Sequence, residues 1–162
     1  MGLSTVRLST VAATSAATAT AALVGSLAVK SGLSGWYDKL ERPSVVPPNG
    51  AIPVVWTALY ADVAATSAVA IDALEDSGES ATSYKAALLT NLALNAGWCQ
   101  LFFGAHKLGA ATAGAALLTV SSVDLTRRAA QANTVAGVAL APYPLWCLFA
   151  TGLTFGFWRH NR

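Results

Sequence analysis

Thirty consecutive residues between Arg128 and Arg159 carry no formal charge. A helix crosses the hydrocarbon of a bilayer in about 20 residues, and four further stretches reach or approach that length. They lie between Arg7 and Lys30, from near Ala51 to Ile71, between Lys85 and His106, and from Lys107 to Val123. Asp62 alone interrupts them. Charged residues are 11% of the chain, against roughly 25% in an ordinary soluble domain. Lipid offers no partner to backbone N–H and C=O groups, and the alternation of a barrel strand is missing, so helices are expected. The prediction is an all-α membrane protein, a single domain over 1–162 built as a bundle of five transmembrane helices.

The first segment, rich in Ala, Thr and Ser, offers small residues of the kind found at signal-peptide cleavage sites. Its uncharged run of 22 residues exceeds the roughly 7 to 15 of a signal core, and a retained helix is expected. The fourth segment is short, because Asp124 closes its apolar part, and it is expected to extend past the hydrocarbon by snorkelling or local thinning of the bilayer. Asp72 to Glu79 holds four acids and is expected to be a solvated turn. With five crossings, Lys30, Lys39, Arg42, Lys107, Arg159 and Arg162 share one side, and Arg7, Lys85, Arg127 and Arg128 the other. Six against four predicts a cytoplasmic C-terminus.

Several chemistries find no support. Cys99 and Cys147 sit inside apolar segments, where a thiol serves as a small packing residue. Net charge is +2, and no basic run suggests nucleic acid. Phosphate loops, metal-ligand spacings and dinucleotide fingerprints are missing from the sequence. His106 and His160 fall at membrane boundaries, where a polar-tipped ring needs no ligand.

The helix faces say more. At about 3.6 residues per turn, Ala86, Thr90, Ala93, Gly97 and Gly104 form a small-residue stripe along the third segment. Such stripes let helices approach closely in lipid, which suggests a homodimer surface. Asn91, Asn95, Trp98 and Phe102 lie nearly opposite, and intramembrane Asn should face the bundle interior. Trp56 and Tyr60 repeat this pattern in the second segment, as do Trp146, Ala150 and Leu153 in the fifth. An aromatic belt at the membrane surface is the competing reading. It suits Trp36, Tyr37, Tyr84 and Trp158, near segment ends; for Trp56, Trp98 and Trp146 both readings stand.

Four blocks, "WYDKLERPSVVPP", "VWTALY", "LALNAGWCQLFFG" and "APYPLWCLFATGL", occur in an order and spacing that resemble the translocator protein or TspO family, also called tryptophan-rich sensory proteins or peripheral-type benzodiazepine receptors. The resemblance runs from Trp36 to Arg159, with the pair Val24 and Gly25 at a fitting distance before it. It implies a five-helix membrane bundle, often dimeric, with an internal pocket covered by the loop between the first two helices. Here that loop is residues 30–50, with Trp36, Tyr37, Pro43, Pro47 and Pro48 as lid positions. Its prolines preset backbone angles and lower the entropy lost on ordering. The resemblance assigns the ligand-facing positions to Trp56, Tyr60, Asn95, Trp98, Trp146, Ala150 and Leu153.

It also implies a porphyrin or haem as ligand, with no required cofactor or metal, and membrane lipid as surroundings, in a bacterial cytoplasmic membrane. Some relatives bind sterols and synthetic ligands. The chain departs from the family pattern at Val45, where Trp is usual, and at Gly114, Ala110 and Thr154; these changes are expected to enlarge or depolarise the pocket. Pro144 is an added proline expected to kink the last helix near Trp146. The sterol-type pattern is missing from "DLTRRAAQANTVAG". Asp62, at mid-helix, is expected either to be functional or to be protonated and hydrogen-bonded to a neighbouring helix.

Three function classes follow from the resemblance: a tetrapyrrole-binding sensory protein, a carrier of porphyrins or other lipophilic ligands, and a light- and oxygen-dependent porphyrin-degrading activity using Trp56 or Trp146. No inverted repeat supports a carrier. The pocket positions offer Asn, Tyr and indoles rather than acid–base or nucleophilic groups, so binding leads.

Overall fold

The computed structural model describes residues 5–33 and 35–162. Its long elements are α1 (Leu8–Leu33), α2 (Ala51–Asp76), α3 (Thr82–Cys99, continued by a π-helical turn, Gln100–Gly104) and α4 (Leu108–Ala132). A short helix α5 (Thr134–Leu140) and then α6 (Pro142–His160) complete the chain, and a single 3-10 turn, Tyr37–Lys39, lies between α1 and α2. Taking α5 and α6 as one span, five helical segments of 23 to 27 residues are long and apolar enough to cross a membrane. At about 1.5 Å per residue, each exceeds the roughly 30 Å hydrocarbon core. The chain is an all-helical integral membrane protein.

The helix ends differ from expectation in three places. α1 continues through Lys30 to Leu33, so the loop is shorter than residues 30–50 and ends where α2 begins at Ala51. α4 runs past Asp124, as expected, and its Asp124 carboxylate pairs with Arg127 and Arg128 on the same helix, at 2.7 Å each. Internal pairing lets these charged turns remain helical at the bilayer edge. The last span breaks at Ala141 rather than beside Trp146. Pro142 and Pro144 occupy the first turn of α6, where a missing N–H leaves no helix bond broken.

The third correction concerns the acids. Asp72, Glu75 and Asp76 are the last turns of α2, not a solvated loop, and Asp72 is buried. Its carboxylate accepts from the backbone N–H of Arg7 and from Thr10 Oγ1 at 2.7 Å, which caps the start of α1 from a neighbouring helix. The Arg7 guanidinium reaches Asp72, Glu75 and Asp76 at 3.0 to 3.3 Å, and Lys85 meets Glu75 at 2.8 Å. α1 and α3 are thereby each pinned to α2 at this end.

Along its length α1 buries Thr14, Thr18, Ala21, Gly25, Ala28 and Gly32, a seam of small residues at helical spacing. Close approach is the reason for their size. A Cβ on Gly32 would lie 2.6 Å from the Phe103 carbonyl oxygen. Thr14 Oγ1 also donates to the Ala64 carbonyl of α2 at 2.9 Å. Tyr84, expected in a surface belt, is instead buried, with its hydroxyl 3.1 Å from Ser67. Asp62 is half-buried on α2, and its carboxyl makes no hydrogen bond or ion pair among the described residues, so the expected bond to a neighbouring helix does not form.

Candidate functional site

A cavity of about 430 Å³ opens between α1, α2, α3 and α6, beneath the loop that joins α1 to α2. That volume lies in the range of small-molecule sites. Trp56, Tyr60, Asn95, Trp98, Trp146, Ala150 and Leu153 all line it. For the three tryptophans the interior position replaces the surface-belt alternative. Their rings form one cluster, with Trp56 at 5.8 Å from Trp98 and 6.3 Å, edge-on, from Trp146. Trp158 does not line the cavity; it packs on Phe155 and lies under the Arg162 guanidinium, as a boundary residue would.

The roof is aromatic. Tyr37 is buried and lines the cavity, meeting Phe102, Phe103 and Phe157 at 5.6 to 6.3 Å. The π-helical turn at Gln100–Gly104 sets this contact, because the extra residue in the turn shifts the phases of Phe102 and Phe103 relative to the rest of α3. Burial holds the Tyr37 phenol above its usual pKa, outweighing the opposing pull of the Arg42 guanidinium above its ring. Trp36 stacks flat on His106 at 4.0 Å. His106, left-handed at φ 56°, lies two residues past the π-helical turn and serves as packing partner to the loop. Of the other lid positions, Pro43 abuts Gly156 of α6, while Pro47 and Pro48 lie in a shallow outer depression with Arg42.

Polar atoms in the wall are few but connected. Tyr60 donates to Asn95 Oδ1 at 2.9 Å, and Asn95 Nδ2 donates to the Tyr143 hydroxyl at 3.2 Å. Tyr143 in turn donates to Asn91 Oδ1 at 2.7 Å, and Asn91 Nδ2 donates to Ser121 and Ser122 at 3.2 and 3.1 Å. The chain of bonds leads from the cavity through α3 and α6 to α4. Sequence reasoning placed both asparagines inward but missed Tyr143. The signal was there, because Tyr143, Cys147, Ala150, Thr154 and Phe157 form one buried stripe at helical spacing. The indole N–H groups of Trp98 and Trp146 are closed off from solvent and find no acceptor among the described residues.

The departures from the family pattern fare unevenly. Thr154 lines the cavity, its hydroxyl donating to the Ala150 carbonyl at 2.7 Å. Gly114 and Ala110 do not, since no residue of α4 reaches the cavity, so they neither enlarge nor depolarise it. Gly114 faces Leu101, and Val45 is exposed on the loop. Cys99 and Phe149, which sequence reasoning did not place at the site, complete the wall near Trp98 and Trp146.

Residues 13–159 match the TspO/MBR family. Among curated relatives, the tryptophan-rich sensory protein of Cereibacter sphaeroides is 34% identical over 78% of this chain and 77% of its own length. Protein CrtK of Rhodobacter capsulatus is 33% identical over 78% of each chain. The human translocator protein is 32% identical over 86% of this chain and 82% of its own.

Tyr143→Phe should leave the Asn91 carbonyl without its donor and Asn95 without its acceptor. A loss of about 1 to 2 kcal/mol is expected, read as a lower thermal midpoint in detergent. An unchanged midpoint would mean that the bonds around Tyr143 contribute nothing to holding the helices.

Proposed function

We propose that this chain, which belongs to the TspO/MBR family, is a membrane sensory protein that binds a porphyrin-type tetrapyrrole in its aromatic cavity. The observation that carries the reading is the convergence of Trp56, Trp98 and Trp146 from three helices on one space, with Tyr60 and Asn95 as its main polar groups. Flat, largely apolar guests stack favourably on such walls. Haem fits the same description, and the reading requires no catalytic metal or cofactor.

Titration of the purified protein with a porphyrin, in the dark and under illumination, tests this through tryptophan fluorescence and pigment absorbance. Saturable quenching without pigment loss is expected; light-dependent pigment loss would favour the degradative activity instead. Trp56→Phe or Trp146→Phe should weaken binding by up to about tenfold, whereas Trp158→Phe should not. Equal losses from Trp158→Phe and Trp146→Phe, with the fold intact, would sink the assignment.

A homodimer through α3 belongs to the same proposal. Ala86, Thr90, Ala93 and Gly104 are exposed on the bundle surface, and a Cβ on Gly97 would meet nothing within 4 Å. Replacing Ala93 and Gly97 with Leu should shift the mass distribution in detergent toward monomer, and an unshifted distribution would count against this surface.

We also place the loop end of the bundle at the cytoplasmic face of a bacterial inner membrane. Lys30, Lys39, Arg42, Lys107, Arg159 and Arg162 gather there. Only Arg42 among these six forms a salt bridge among the described residues, whereas all four cations of the opposite end are paired. A C-terminal reporter active only in the cytoplasm should give signal; a silent, fully expressed fusion would reverse the orientation.

A further inference from the structure

The loop over the cavity is fastened to the far end of the chain. Asn161, just past α6, accepts a hydrogen bond from the Glu41 backbone N–H on Oδ1 at 2.9 Å and returns one from Nδ2 to the Glu41 carbonyl, also at 2.9 Å. The same Nδ2 donates to the Phe157 carbonyl at 2.9 Å, which orients the amide on the helix end. Among the described residues these are the only hydrogen bonds tying residues 36–48 to an element distant in sequence. The remaining attachments are ring and apolar contacts: Trp36 on His106, Tyr37 on Phe102 and Phe157.

We propose that Asn161 is the positioning residue that holds the loop closed, and that release of its two bonds to Glu41 sets how often solutes reach the cavity from the aqueous side. A carboxamide suits the task because it supplies an acceptor and donors in one plane. A carboxylate lacks the donor and a hydroxyl cannot span both backbone groups. Glu41 is four residues beyond Tyr37, which roofs the cavity, and two before Pro43, which lies against α6. Gly156 makes room for that contact: a Cβ there would come within 2.7 Å of Pro43 Cγ. The amide and the glycine thus form one seat for the loop on α6.

The chain carries its own reporter, so the test needs no guest and is independent of the porphyrin reading. Cys99 lines the cavity, whereas Cys147 is buried in the core outside it. The full-length protein in detergent is treated with a charged methanethiosulfonate, which cannot enter through the apolar belt, and each cysteine is followed by peptide-resolved mass spectrometry. Asn161→Ala should raise the rate at Cys99 about tenfold, the change expected from losing two modest hydrogen bonds in an opening equilibrium. Gly156→Ala, which unseats Pro43 without touching the amide, should raise it as well. Cys147 should stay as slow as before in both. An unchanged Cys99 rate in the two variants would overturn the proposal, and so would parallel acceleration of Cys99 and Cys147, which would mark general loosening of the bundle.

Discussion

The series of buried bonds from Tyr60 through Asn95, Tyr143 and Asn91 to Ser122 does what a hydrophobic core does in water. In lipid, apolar side chains gain nothing by leaving the solvent, so helix association rests on packing and on polar groups that have no better partner. Tyr60, Asn95, Tyr143 and Asn91 each donate to the next group, Asn95, Tyr143 and Asn91 each accept from the one before, and the Asn91 amide donates to both Ser121 and Ser122. Because the series joins α2, α3, α6 and α4, it fixes the rotation of each about its own axis. Trp56, Trp98 and Trp146 sit on those same helices, so their inward aim follows from it.

α1 is attached by different means. Its small-residue seam allows close contact, and the Arg7 cluster with Asp72, Glu75 and Asp76 pins one end. Toward the opposite end the chain turns into the loop, and α1 contributes Gly25, Val29 and Leu33 to the cavity wall. The cavity therefore lies between a rigid set of hydrogen-bonded helices and a helix held by close packing along its length and by ion pairs at one end. Its roof depends on the π-helical turn of α3, which aims Phe102 and Phe103 at Tyr37.

Much of this was legible in residue order. Uncharged runs announced the spans because burial in hydrocarbon excludes unpaired charge, and helical spacing set Asn95 beside Trp98 and Trp56 beside Tyr60. Asp72 misled for a related reason: an acid reads as solvent-facing until its partner is known, and Arg7 lies 65 residues away. Tyr84 misled in the same way, since a phenol near a helix end suits the membrane surface as well as a buried bond to Ser67. The positions of Gly114 and Ala110 were misjudged because a family pattern shows that a site varies without showing which face of α4 it occupies.

By itself, then, the sequence determined that this protein crosses a membrane five times as helices, that its aromatic and amide residues share helix faces, and that a stiff proline-bearing loop follows the first span. These are properties of single segments, set by local periodicity and by the expense of charge in lipid. Only the tertiary structure decided which faces meet, that Tyr143 links the two asparagines, that α4 stands behind the cavity and not in its wall, and that Asn161 reaches Glu41. Those outcomes depend on the relative rotation and depth of helices far apart in the chain, which no periodicity within one helix specifies.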